Sequence, residues 1–160
     1  MAAAVVADLP ELADVAARTF PLACPASVSA DNIAVFIDGN LSEQRFRDYL
    51  ADPDRWVLAA RVDARLVGYA MLVRSDDGAI ELSKMYVLPD SHGAGASAAL
   101  MAAALDTAKE QGVESVWLGV NQQNQRAQRF YAKQGFTVSG TRTFQLGAGI
   151  ENDYVMVRPV

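Results

Sequence analysis

Residues 81–105 read ELSKMYVLPDSHGAGASAALMAAAL, and the fold follows from how this stretch is parsed. Glu81 to Leu88 is apolar-rich and stops at Pro89, which cannot continue a sheet ladder, so the composition predicts a strand. His92-Gly93-Ala94-Gly95-Ala96-Ser97 then sets two glycines among small residues. Beyond it Leu100, Met101, Ala104, Leu105 and Ala108 recur at three and four, the helical period. A small-residue turn opening a helix leaves backbone N–H groups without intrahelical partners. Together with the helix dipole, those donors suit an anion, phosphate above all. The turn from Gly93 to Ser97 is therefore a candidate pyrophosphate cradle.

Working outward toward the C-terminus, Gly112 suits a helix cap and Val113 to Val120 reads as another strand. Strand, helix, strand of this length is a βαβ unit, which makes the two strands parallel with a right-handed crossover. Asn124 starts a helix through Ala127, Phe130 and Tyr131 that Gly135 ends. Phe136 to Phe144 and Ile150 to Arg158 form a hairpin across Gly147-Ala148-Gly149. On the other side, Trp56 to Val62 and Arg65 to Arg74 alternate as a hairpin over Asp63-Ala64, and Asp76-Asp77-Gly78 turns into the Glu81 strand. Further upstream, Ala3 to Ala7 reads as a strand, and Asp8 as the cap of a helix starting near Pro10. Pro21 and Pro25 bracket an expected loop. A short helix is expected over Asp31 to Ile37, then a turn at Asp38-Gly39-Asn40. Ser42 caps a helix with Phe46, Tyr49 and Leu50 inward. The whole is one α/β (α+β) domain over residues 1–160, with a mixed, mostly antiparallel sheet of six or seven strands and about four helices.

Composition narrows the function classes. Hydrophobic residues make up 51% of the 160, enough for a sizeable core. Asp and Glu number 19 against 14 Lys and Arg, which disfavours a nucleic-acid surface. Cys24 is the one cysteine, so no intrachain disulfide framework exists and a reduced compartment is expected. No apolar run reaches membrane-spanning length, and the start MAAAVVADLP lacks a basic leader region. A cytoplasmic chain without membrane partner or metal is the expectation.

Three readings compete for the glycine turn. A P-loop needs Lys-Ser or Lys-Thr after its last glycine, and Gly95 is followed by Ala96-Ser97. A dinucleotide fingerprint, G-x-G-x-x-A, is satisfied by Gly93 to Ala98. Yet the acid expected at the end of the following strand is Asn121. The third reading rests on two motifs: His92, Gly95 and Ser97 around the turn, and Asn124-x-x-Ala127-x-x-Phe130-Tyr131-x-x-x-Gly135-Phe136 downstream. With the order of elements from Val5 to Val157, these resemble the GCN5-related N-acetyltransferase superfamily. In that family the first motif usually carries Arg or Gln where His92 stands, and Gly or Ala where Ser97 stands.

The resemblance implies acetyl-coenzyme A as co-substrate and an amine acceptor, a small molecule or a peptide amine. It implies a pyrophosphate on the turn of His92, Gly93, Ala94, Gly95, Ala96 and Ser97. The pantetheine arm would run along the backbone of Met85, Tyr86 and Val87, between parallel strands splayed apart in mid-sheet. Asn124 would contact the pantetheine or phosphate. Tyr131 would sit at the coenzyme sulfur as donor to the leaving thiolate, and Glu81 would serve as base for the amine. Glu81, Ser83, Met85 and Val87 are expected on one strand face. A bound phosphate would favour a protonated His92, so coenzyme binding is expected to tighten on mild acidification. Phe20 to Leu50 would form the acceptor wall, and the final hairpin could join two copies as a homodimer. A non-catalytic acyl-coenzyme A sensor on the same fold is the alternative reading.

Overall fold

The computed structural model describes residues 1–160, the Ala94 side chain excepted. Seven strands form one sheet, β1 (Ala2–Ala3), β2 (Arg55–Val62), β3 (Arg65–Arg74), β4 (Ile80–Val87), β5 (Ser115–Asn121), β6 (Thr137–Leu146) and β7 (Gly149–Pro159), in the order β1-β2-β3-β4-β5-β7-β6. Every neighbouring pair is antiparallel except β4 and β5. Five α-helices accompany it: α1 (Leu9–Ala23), α2 (Ala30–Asn40), α3 (Glu43–Ala51), α4 (Ala96–Glu110) and α5 (Gln125–Lys133).

The turns obey local chemistry. Asp63 and Ala64 take positive φ, as a two-residue hairpin requires. Gly112 and Gly135, both at positive φ, end α4 and α5. Ser42 Oγ accepts from Arg45 N and caps α3, burying Phe46 and Tyr49.

The N-terminal third departs from expectation in four places. The first strand covers Ala2–Ala3, not Ala3 to Ala7, because Val6–Asp8 coils into a 3-10 turn. Asp8 caps that turn, accepting from Val5 N at 2.9 Å, and pairs with Arg61; it makes no side-chain cap to α1. The Pro21 boundary also fails. Pro21 continues α1 to Ala23, and Phe20 is buried on the face it shares with Leu12, Val15 and Ala16. Asp38, Gly39 and Asn40 are helical too, since Leu41 N donates to Ile37 O and extends α2 past the predicted turn. In both helices tertiary packing overrides a local breaker.

Packing divides between the two sheet faces. Helix α4 lies across β2, β3 and β4 with Leu100, Met101, Ala104 and Ala108 fully buried. Helices α1 to α3 cover the face carrying Tyr69 and Tyr86. There Phe46 stands edge-on to Tyr69 at 5.3 Å, and Phe20 edge-on to Tyr86 at 6.2 Å. Asn32 ties α2 to the β6–β7 turn, its Oδ1 accepting from Ala148 N at 2.9 Å.

Candidate active site

Two irregularities in the middle of the sheet open the site. Strands β4 and β5 pair only at Ile80–Val116 and Glu81–Trp117, then separate. On its other side β4 carries an extra residue: Lys84 pairs with Met71 but Leu82 pairs with Leu72, leaving Ser83 as a bulge. The bulge corrects one expectation. It shifts the side-chain alternation, so Glu81 shares its face with Lys84 and Tyr86, not with Met85 and Val87. Met85 and Val87 instead turn their backbone groups to the open edge. Leu88 N donates to Val67 O, and alternation along the antiparallel ladder then points residues 87 and 85 away from β3.

A cavity of about 630 Å³ fills the gap. Glu81, Met85, Tyr86, Val87, His92, Gly95, Ser97, Asn124 and Tyr131 all line it. Gly93 is exposed and Ala96 is buried at the helix start, both outside that lining. The side chain of Ala94, expected in the phosphate turn, is not among those described.

One end of the cavity has the features of a phosphate cradle. Pro89–Ala94 forms a 3-10 turn, and Gly95 takes φ +76° before α4. Ala99 N is the first to bond back, to Gly95 O, so the N–H groups of Ala96, Ser97 and Ala98 have no intrahelical partner. A Cβ added at Gly95 would meet nothing within 4 Å, so the space above it is open to a ligand. These donors fit a pyrophosphate, and the free β4 edge fits a row of amides. His92 stands at the same mouth. Its Nε2 bonds Val87 O at 2.7 Å and its Nδ1 contacts Arg126 Nη2. Both nitrogens are engaged within the protein. The cation at this mouth is Arg126, which the sequence reading passed over.

The middle of the cavity belongs to Tyr131. Asn124 Oδ1 accepts from Ala127 N at 3.1 Å and starts α5, which sets the tyrosine's azimuth. Phe130 and Phe136 flank the ring at 5.6 and 5.9 Å. Burial pushes the Tyr131 phenol up to about 12. A thiol titrates near 8.5, so full proton transfer to a thiolate would cost about 5 kcal/mol. A phenol held this high keeps its proton at neutral pH, and what it can offer a ligand is a hydrogen bond.

The far end carries a charge network absent from the sequence reading. Arg142 of β6 pairs in register with Asp153 of β7, and its Nε donates to Asp153 Oδ2 at 3.1 Å. Its guanidinium continues over Gly119 of β5, passes 5.4 Å from the Trp117 ring, and brings Nη1 to 3.4 Å from Glu81 Oε1. A Cβ at Gly119 would lie 2.3 Å from Arg142 Nη2, so the glycine is what lets one side chain span three strands. A glycine inside an apolar strand was the available signal. Burial raises the Asp153 carboxyl, opposed by the hydrogen bond and charge of Arg142. Beyond, Phe20 and Phe36 stack at 4.5 Å and Phe144 closes on Phe36 at 5.5 Å, so α1 and α2 give the cavity an aromatic wall. Cys24 also lines this end. Burial, with the charge of Glu151, pushes its thiol up to about 11, which leaves it protonated and no nucleophile.

Residues 15–136 match the model of the Acetyltransferase (GNAT) family, and the chain belongs to that family as an N-acetyltransferase. A Mycobacterium tuberculosis protein described as uncharacterized N-acetyltransferase Rv2669 is 65% identical over 94% of this chain and 97% of its own length. Among solved structures, the PaiA N-acetyltransferase of Thermoplasma acidophilum in complex with coenzyme A superposes with a TM-score of 0.84, covering 98% of this chain and 96% of that one at 23% identity. The ribosomal-protein-S18-alanine N-acetyltransferase of Escherichia coli superposes with a TM-score of 0.73 at 20% identity, covering 99% and 92%. At such identities these two likenesses establish the fold alone. Membership overturns the dinucleotide reading of the glycine turn and makes the protein an enzyme rather than a sensor. Among the described residues no helix is long and apolar enough to cross a membrane, and no cluster of His, Cys, Asp or Glu could hold a metal.

Proposed function

We propose that the protein transfers the acetyl group of acetyl-coenzyme A to a primary amine, by direct attack while both are bound. The continuity of the cavity carries this reading. It runs from the N–H groups of Ser97 and Ala98, along the open edge of β4, past Tyr131, to Glu81 and the aromatic wall. Acetyl-coenzyme A would supply the activated acyl group as a thioester. The first N–H groups of α4 and Arg126 would hold the pyrophosphate, and Met85 would bond the pantetheine amides. Asn124, its Oδ1 spent on the cap, has its Nδ2 for the same arm. Glu81 would take the ammonium proton, which an alkylamine with a pKa near 10 must lose before it attacks. Arg142 fixes that carboxylate from one side. Tyr131 would donate to the sulfur as the carbon–sulfur bond breaks.

The test is thiol release from acetyl-coenzyme A with a panel of primary amines, followed by initial rates at varied concentrations of both substrates. Intersecting double-reciprocal lines are expected. Parallel lines, or an acetylated protein formed without amine, would refute direct attack.

A further inference from the structure

Lys84 has no place in the chemistry above, yet it lines the same cavity from the strand that carries Glu81. The Ser83 bulge turns it onto the acceptor side. Its Nζ lies 5.9 Å from the centroids of both Phe36 and Tyr49, between α2 and α3. Arg142, the neighbouring cation, is matched by Glu81 and Asp153. Lys84 has only the ring faces of Phe36 and Tyr49 close by: among the described residues it makes no ion pair within 4 Å and no hydrogen bond. A half-buried ammonium against aromatic rings, without a carboxylate beside it, lacks the compensation that desolvated charges normally have. The cavity is open, so a ligand can supply it. We infer that the acceptor carries a carboxylate as well as its amine, and that Lys84 binds this carboxylate while the amine lies at Glu81. The inference rests on the acceptor occupying this end of the cavity, as proposed above, and deepens that reading.

The surroundings fit such a bipolar ligand. Glu81 and Lys84 are neighbours on one face of β4, separated by the bulge, so an anionic and a cationic group face the same space. Around Lys84 the facing charged and titratable groups are Arg55 of β2, Glu81 of β4 and Tyr49 of α3. Burial, and then Arg55, lower its pKa to about 8, while Glu81 opposes them. Near pH 7 Lys84 is therefore still an ammonium, and a bound carboxylate would hold it so at higher pH. Phe20, Phe36 and Phe144 favour an apolar body between the two charges.

The test measures binding, so it does not depend on turnover. N-acetylated amino acids with the carboxylate one to four carbons from the amide nitrogen are titrated by calorimetry into the protein saturated with coenzyme A. Each is compared with its primary amide. At pH 7 at least one carboxylate is expected to bind about tenfold or more tightly than its amide, as a charge-assisted hydrogen bond allows. That preference should fade above pH 8 and collapse in Lys84→Met, whose coenzyme A affinity reports an intact fold. Equal binding of every carboxylate and its amide would overturn the inference, as would a preference that survives Lys84→Met. A Lys84-dependent preference without acetyl transfer to any amine would leave this inference standing and sink the proposed reaction instead.

Discussion

Replacing Lys84 by methionine should make the protein more stable while weakening its acceptor site. Lys84 titrates at about 8 in the folded chain against 10.5 for a free lysine, with burial as the largest cause. At about 1.4 kcal/mol per pH unit, that gap means the half-buried ammonium destabilises the fold by about 3 kcal/mol below pH 8. Methionine keeps the unbranched stem and fills similar volume. It loses the contacts of the cation with Phe36 and Tyr49, worth about 1 kcal/mol together. The net gain is about 2 kcal/mol, or about 4–8 °C in Tm for a domain of this size. The sign can be checked by pH. Between pH 8 and 10.5 the unfolded lysine keeps a proton that the folded one has lost, so wild-type stability rises with pH through that window. Methionine has no such slope. The advantage of Lys84→Met is therefore full at pH 7 and mostly gone at pH 10. Urea unfolding of both proteins at the two pH values, without ligand, measures it. A variant less stable than wild type at pH 7, or an advantage that does not shrink by pH 10, would refute the argument.

Three further outcomes follow from the site. Tyr131→Phe removes one donor at the sulfur and should lower kcat by about 10²-fold with little change in coenzyme affinity; wild-type turnover would remove the role. Gly119→Ala places a Cβ against the Arg142 guanidinium and should break its bridge from Asp153 to Glu81. The buried Asp153 then loses its partner, at about 1–3 kcal/mol in urea unfolding, and an unchanged midpoint would show that Arg142 has another route. Arg126→Ala should raise KM for acetyl-coenzyme A by about fivefold at low salt with kcat unchanged, the difference shrinking as salt screens the charge; a kcat effect instead would place Arg126 nearer the chemistry.

Most elements could be read locally because their signals are local. Period-two and period-3.6 patterns, the caps Ser42 and Asn124, and the glycines at positive φ depend on residues a few positions apart. The family could be read for a similar reason, since Asn124 to Phe136 lies on one helix and its cap. The misreadings at Pro21 and Asp38-Gly39-Asn40 came where a helix continues past a weak breaker because its apolar face packs on neighbouring helices and strands. The sequence by itself thus determined the order of elements, the parallel pair and the family. Tertiary structure decided the acceptor end. One unpaired residue, Ser83, puts Lys84 rather than Met85 beside Glu81, and no pattern within the strand marks a bulge that exists only against its neighbour. Arg142 reaches Glu81 across 61 residues of sequence, which only the strand order β4-β5-β7-β6 and the missing side chain of Gly119 permit. Side-chain charges meet by geometry in three dimensions, and their separation along the chain carries no record of it.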